Sequence, residues 1–80
     1  MTIDNFINII EQEFPDVPKG KLNSESHYKE VIGLTSINAL ILIALIDNAY
    51  DVILTADDIK STTTLDELYK VVNKNKFNNK

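Results

Sequence analysis

The sequence predicts an all-α fold, and three observations support this prediction. Residues 3–14 and residues 65–72 each place their apolar side chains in one stripe at helical spacing. Residues 36–50 form an apolar segment of about fifteen residues, which is longer than a usual β-strand. No second strand-like run is present in the sequence to pair with this segment. We therefore predict a bundle of three main helices plus one short helix.

The first predicted helix has a single apolar face and ends at a proline. Its apolar residues, at i, i+3, i+4, i+7 and i+11, are Ile3, Phe6, Ile7, Ile10 and Phe14. Thr2 can cap the start of this helix, and Pro15 cannot continue it. Residues from Pro15 to Thr35 are predicted to form a long loop between helices one and two. Apolar side chains along this loop should hold it against the core, namely Val17, Leu22, Tyr28, Val31 and Ile32.

The second predicted helix, over residues 36–50, is apolar on nearly every side. Such a helix should be buried all round, but three partner helices, one of them a single turn, can hardly enclose it. Part of its surface is therefore expected to stay exposed and to form a docking site. The candidates for this exposed set are Ile37, Leu40, Ile41 and Ala44. The alternative is that the long loop covers this face of the helix.

The last third of the chain carries two helix-start signals. The stretch from Thr55 to Asp58 resembles a capping box and predicts one short helical turn that ends near Ser61. The stretch from Thr64 to Glu67 is a cleaner capping box at the start of the last main helix. The apolar residues of that helix are Leu65, Leu68, Tyr69 and Val72. We predict one helical domain over residues 1–73 and a disordered Lys/Asn-rich tail over residues 74–80.

The charge of the chain is unevenly distributed. The 80 residues have a formal net charge of −4, but residues 1–69 carry only four lysines against all 12 acidic residues. An acidic body disfavours binding to nucleic acid, whose phosphates require a positive surface. The longest apolar run, Ala39 to Ile46, is far shorter than the roughly 20 residues that span a bilayer. We therefore expect a soluble, cytoplasmic protein without membrane insertion, and we expect it to be a monomer.

No catalytic or metal-binding constellation is visible in the sequence. His27 is the single histidine, and the chain has no cysteine that it could activate. Asp57 and Asp58 read as carboxylates at a helix start, and a metal site would need more ligands nearby. We therefore predict neither catalytic residues nor a metal site, and a protein that is not an enzyme.

Several motifs together resemble the acyl carrier protein family. The family's usual signature, G-x-D-S-L at the start of the second helix, is similar to the stretch from Gly33 through Thr35 and Ser36 to Ile37. The segment from Leu54 to Ile59 and the entry to the last helix at residues 63–68 continue the resemblance, which covers roughly residues 2–73.

The resemblance implies a small acidic four-helix domain that carries 4′-phosphopantetheine on Ser36, next to Thr35 and Ile37. It implies a phosphopantetheinyl transferase and acyl-transferring or condensing enzymes of the fatty acid or polyketide type as partners. Their docking face would be on helix two, at Ile37, Leu40, Ile41, Ala44 and Asp47. Acyl pockets of this family open between helices, and the residues that could line one here are Ala39, Leu42, Ile43, Leu45 and Ile46.

A phosphodiester on Ser36 is also sensible on physical grounds. A helix N-terminus has unpaired N–H groups and a partial positive charge, both of which favour a bound anion. The chain departs from the family pattern at Thr35, where an aspartate is usual. Three alternatives therefore stay open: an aminoacyl or peptidyl carrier, an unmodified helical adaptor that binds a partner through helix two, and an ordinary capping role for Ser36.

Overall fold

The described part of the chain contains five α-helices. The computed structural model describes residues 2–78, with side chains up to residue 76. The helices are α1 (Ile3–Glu13), α2 (Tyr28–Ile32), α3 (Ser36–Tyr50), α4 (Ala56–Lys60) and α5 (Leu65–Asn78). Helices α1, α3 and α5 are the three predicted main helices and α4 is the predicted short one, so the all-α fold class is confirmed.

Helix α2 corrects the prediction of one long loop between the first two main helices. Its apolar residues Tyr28, Val31 and Ile32 lie at i, i+3 and i+4, so they share one face. Gly33 ends the helix in the left-handed region with φ +74°, where glycine has no steric penalty. The N–H groups of Gly33 and Leu34 both donate to the Lys29 carbonyl. The predicted loop is therefore two shorter connections on either side of a five-residue helix.

The core lies between α1, α3 and α5. Helix α1 packs against both of the other main helices. The Phe6 ring packs against two tyrosine rings, and its centroid lies 6.0 Å from that of Tyr50 and 5.4 Å from that of Tyr69. The fully buried aliphatic side chains that complete this core are Ile10, Leu42, Ile46, Val52, Leu65, Leu68 and Val72. Since α3 contributes only part of its apolar surface to this core, the rest of that surface must face elsewhere.

The connection between α1 and α2 is held by side chains and by backbone. Val17 and Leu22 are buried in the core, as predicted. The Ser26 carbonyl accepts the Leu65 N–H at 2.9 Å, and the Ser24 carbonyl accepts the Asp66 N–H at 2.8 Å. These bonds satisfy amides of the first turn of α5 that have no partner within the helix. The long connection is therefore part of the fold.

Helix α4 is a single turn that α2 holds in place. The buried Tyr28 hydroxyl lies 2.7 Å from the Thr62 hydroxyl and 3.3 Å from the Ile59 carbonyl oxygen. The Lys29 ammonium donates to the same carbonyl at 3.0 Å. Burial raises the pKa of Tyr28, and the hydrogen bond with Thr62 opposes that rise. Together these contacts fix α4, which also packs against α5.

Helix α5 continues past the predicted end of the domain. Residues 74–78, which were predicted to be a disordered tail, belong to α5, and residues 79–80 lie outside the described residues. Lys76 explains part of this extension, because its ammonium donates to the Tyr50 carbonyl at 2.9 Å. A lysine at this place also suits the negative end of the α3 dipole. None of the helices in residues 2–78 is long and apolar enough to cross a membrane.

Candidate functional site

The start of α3 is built around Thr35, which caps the helix. Thr35 has an extended backbone, and its hydroxyl accepts the Asn38 N–H at 3.1 Å. Its carbonyl accepts the Ala39 N–H at 2.9 Å, which is the first backbone bond of the helix. Thr35 is therefore the N-cap, and Ser36 is the first residue inside the helix.

The Ser36 hydroxyl is left available by this arrangement. Ser36 is exposed, and its hydroxyl has no hydrogen-bond partner among the described residues. The backbone N–H groups of Ser36 and Ile37 likewise have no partner in the described part of the chain. The ordinary capping role considered for Ser36 is therefore wrong, because Thr35 fills it. A free hydroxyl next to two free N–H groups at a helix N-terminus can carry an anionic group.

Asn38 holds the turn that leads into Ser36. Its side-chain amide donates to the Gly33 carbonyl at 2.9 Å and to the Ile32 carbonyl at 3.4 Å. These bonds tie the end of α2 to the first turn of α3. The sequence interpretation assigned no role to Asn38. The signal was present, because a lone amide in an otherwise apolar stretch calls for a hydrogen-bond partner.

One face of α3 stays in contact with solvent. Ile37 and Leu40 are 69% and 67% exposed, and Ala44 and Asp47 are also exposed. Ile41 is half-buried. The predicted exposure of part of this set is confirmed, and the alternative that the long loop covers this face is wrong. Two large aliphatic side chains in water, one helical turn apart, form an apolar patch.

A groove opens directly beside Ser36, between the first half of α3 and helix α4. Its volume is about 430 Å³, which is within the range of small-molecule sites. The residues that line it are Leu34, Thr35, Ser36, Ala39, Leu40, Ile43, Ala56, Ile59 and Lys60. Of the side chains predicted to line an acyl pocket, only Ala39 and Ile43 belong to this groove. Leu42 and Ile46 are fully buried in the core instead.

The remaining polar candidates lie away from this groove. His27 is exposed and contacts the Glu30 carboxylate at 3.0 Å. Asp58 accepts the Thr55 N–H at 3.0 Å in the predicted capping box of α4. Among the described residues, no group of three or more His, Asp or Glu side chains could hold a metal ion. The absence of catalytic residues and of a metal site stays a prediction.

Comparison with known proteins identifies a matching family. No curated protein matches the chain. A family model described as a phosphopantetheine attachment site matches residues 6–72, from α1 to the core-facing part of α5. Members of this family are carrier proteins that hold 4′-phosphopantetheine covalently on a serine. The match spans most of the 80 residues, so the chain belongs to the phosphopantetheine attachment family.

Proposed function

We propose that the protein is an acyl carrier protein and that Ser36 is the serine that holds its 4′-phosphopantetheine. The observation that supports this choice best is the free, exposed Ser36 hydroxyl at the N-terminus of the 15-residue helix α3, beside an apolar groove. When bound, the prosthetic group supplies a terminal thiol that can hold an acyl chain as a thioester.

The other serines are less suited to this role. The Ser26 hydroxyl is engaged with the Asn23 N–H and the Lys21 carbonyl, and the Ser61 hydroxyl donates to the Asp58 carbonyl. Ser24 is half-buried between α1 and α2, and although its carbonyl accepts the Asp66 N–H at the start of α5, it is not itself a residue of any helix. Ser36 therefore combines exposure, an unengaged hydroxyl and a helix N-terminus.

The groups around Ser36 fit a phosphodiester. The free N–H groups of Ser36 and Ile37 can donate to its oxygens, and the helix dipole favours its negative charge. Thr35 caps α3 with a neutral hydroxyl where the family usually has a carboxylate. Thr35 therefore caps the helix without placing a carboxylate next to the phosphate. The local negative charge is lower than it would be with the usual aspartate. The departure at Thr35 is thus compatible with modification of Ser36.

The groove favours an acyl cargo over an aminoacyl one. Apolar side chains from α3 and α4 make up most of its wall, including Ala39, Ile43 and Ile59. An aliphatic chain placed there would gain about 0.8 kcal/mol for each methylene removed from water. The charged amine of an aminoacyl group would find no carboxylate in the lining. This contrast supports cargo with an aliphatic chain.

The exposed face of α3 supports a role in docking. We assign Ile37, Leu40, Ile41, Ala44 and Asp47 to contacts with a phosphopantetheinyl transferase and with acyl-transferring or condensing enzymes of the fatty acid or polyketide type. The face holds one charged residue, Asp47, so apolar contact should outweigh ion pairs in these complexes. A cytoplasmic monomer without catalytic activity of its own completes this proposal.

Intact-mass measurement tests the proposal. The purified protein is incubated with coenzyme A, Mg²⁺ and a transferase of broad specificity. We expect a gain of one phosphopantetheine for the wild type, no gain for Ser36→Ala, and an unchanged gain for the control Ser24→Ala. A wild type that gains no mass with several transferases would favour the unmodified adaptor, whose partner would bind at Ile37 and Leu40.

A further inference from the structure

The groove beside Ser36 contains one charged side chain, that of Lys60. Ser36 and Thr35 form the polar part of the lining from the α3 side, and Lys60 lines it from α4. The other lining residues are apolar. A single cation in an apolar groove, on a chain whose first 69 residues are strongly acidic, suggests a specific anionic ligand.

The Lys60 ammonium is available for such a ligand. The ion pairs found among the described side chains are His27–Glu30 and Lys70–Asp66, and Lys60 takes part in neither. The Lys29 ammonium, in contrast, already donates to the Ile59 carbonyl. Lys60 is exposed, so its long side chain can turn toward an anion in the groove without unfolding α4.

We propose that Lys60 is the cationic contact of the phosphodiester on Ser36 and thereby positions the prosthetic arm along the groove. This inference rests on the proposed modification of Ser36. The phosphate is bonded directly to the Ser36 hydroxyl oxygen, so it must lie at the groove wall that Ser36 forms. The cargo, in contrast, is at the far end of a flexible arm. The phosphate is therefore the anion that a lysine in the same lining meets first.

Lysine NMR on the modified protein tests this contact. The protein is converted with coenzyme A and a transferase, and mass spectrometry verifies that Ser36 is modified. The ε-methylene signals of the lysines are then titrated with pH in both forms. We expect the Lys60 midpoint to rise by roughly 0.2–0.7 pH unit on modification, the size of an exposed ion pair, and to rise less in high salt. The midpoint of the control, Lys19, should not move.

The phosphorus resonance gives a second readout from the other partner. The ³¹P signal of the phosphodiester should shift in Lys60→Gln, should return toward its wild-type position in Lys60→Arg, and should stay unchanged in Lys19→Gln.

The possible failures are distinguishable. Modification of Ser36 with an unchanged Lys60 midpoint and an unchanged ³¹P signal would overturn the Lys60 contact alone. A Lys60 midpoint that rises only when the cargo carries a terminal carboxylate would assign Lys60 to the cargo and would also overturn it. A protein that cannot be modified at Ser36 would overturn the proposed function, and the Lys60 contact with it.

Discussion

Replacing Thr35 tests how the site is built. Thr35 caps α3 and Ser36 is the proposed attachment residue, so a substitution at Thr35 changes the cap and leaves the Ser36 hydroxyl in place. Thr35→Val keeps a β-branched side chain in an extended backbone and removes only the hydroxyl that accepts the Asn38 N–H. Loss of an N-cap costs about 0.5–2 kcal/mol. Since this bond is exposed and water can replace the hydroxyl, we expect the lower part of that range, about 0.5–1 kcal/mol. For a domain of this size the melting temperature should fall by roughly 2–8 °C.

Two further variants at the same position isolate the effect of charge. Thr35→Asn keeps a neutral acceptor and should match the wild type, whereas Thr35→Asp adds a carboxylate at the helix N-terminus. In the unmodified protein the carboxylate should stabilise the fold by about 0.3–1 kcal/mol at low salt. After modification of Ser36 this gain should shrink, because two unit charges about 4 Å apart repel by roughly 1 kcal/mol even in bulk water.

Urea unfolding followed by far-UV circular dichroism measures these differences at low and at high salt. A Thr35→Val variant as stable as the wild type would refute Thr35 as the cap. An equal gain from Thr35→Asp in the unmodified and the modified protein would refute a phosphodiester beside residue 35.

Three other substitutions test the fold that supports the site. Asp51 ends α3 with φ +59°, so Asp51→Gly should relieve the left-handed strain and raise the free energy of unfolding by about 0.5–1 kcal/mol, measured by urea unfolding; a loss of stability would contradict this. Tyr28→Phe removes the buried hydroxyl that contacts Thr62 and should lower the free energy of unfolding, measured by thermal unfolding, by about 1–2 kcal/mol. No change would mean that this bond does not hold α4. Backbone N–H bonds at the start of α5 lower the pKa of Glu67, so its contribution to stability is present above the unfolded pKa near 4.5 and is lost as pH falls through the lower folded pKa. The difference in free energy of unfolding between the wild type and Glu67→Gln should therefore shrink below pH 4.5 in acid titrations. A constant difference would mean that the ionised Glu67 carboxylate does not stabilise the fold.

Local signals explain why much of the fold could be predicted. The bounds of α3 match the predicted segment, and its type was predicted because its length and the lack of a second strand-like run both favour a helix over a strand. The starts of α4 and α5 were predicted because a capping box is a local pattern, and the reciprocal bonds are present between Thr64 and Glu67. Helix α2 was missed because five residues give too little periodicity, although Gly33 directly after an i, i+3, i+4 pattern was a usable signal.

Features that depend on packing between distant segments could not be predicted. The extension of α5 past residue 73 involves the Lys76 bond to the Tyr50 carbonyl, which no pattern within α5 reveals. The groove beside Ser36 exists because α4 lies across from the start of α3, so the place of Lys60 in its lining needed coordinates. The choice between Thr35 and Ser36 as the cap also needed them, since both residue types favour that position.

Tandem mass spectrometry of the protein purified from its native host tests most directly whether Ser36 carries phosphopantetheine. Fragmentation of the modified peptide identifies which serine carries phosphopantetheine. We expect the group on Ser36 and a released cargo that is an aliphatic acyl chain. Phosphopantetheine on Ser24, Ser26 or Ser61, or a native protein that carries none, would contradict it.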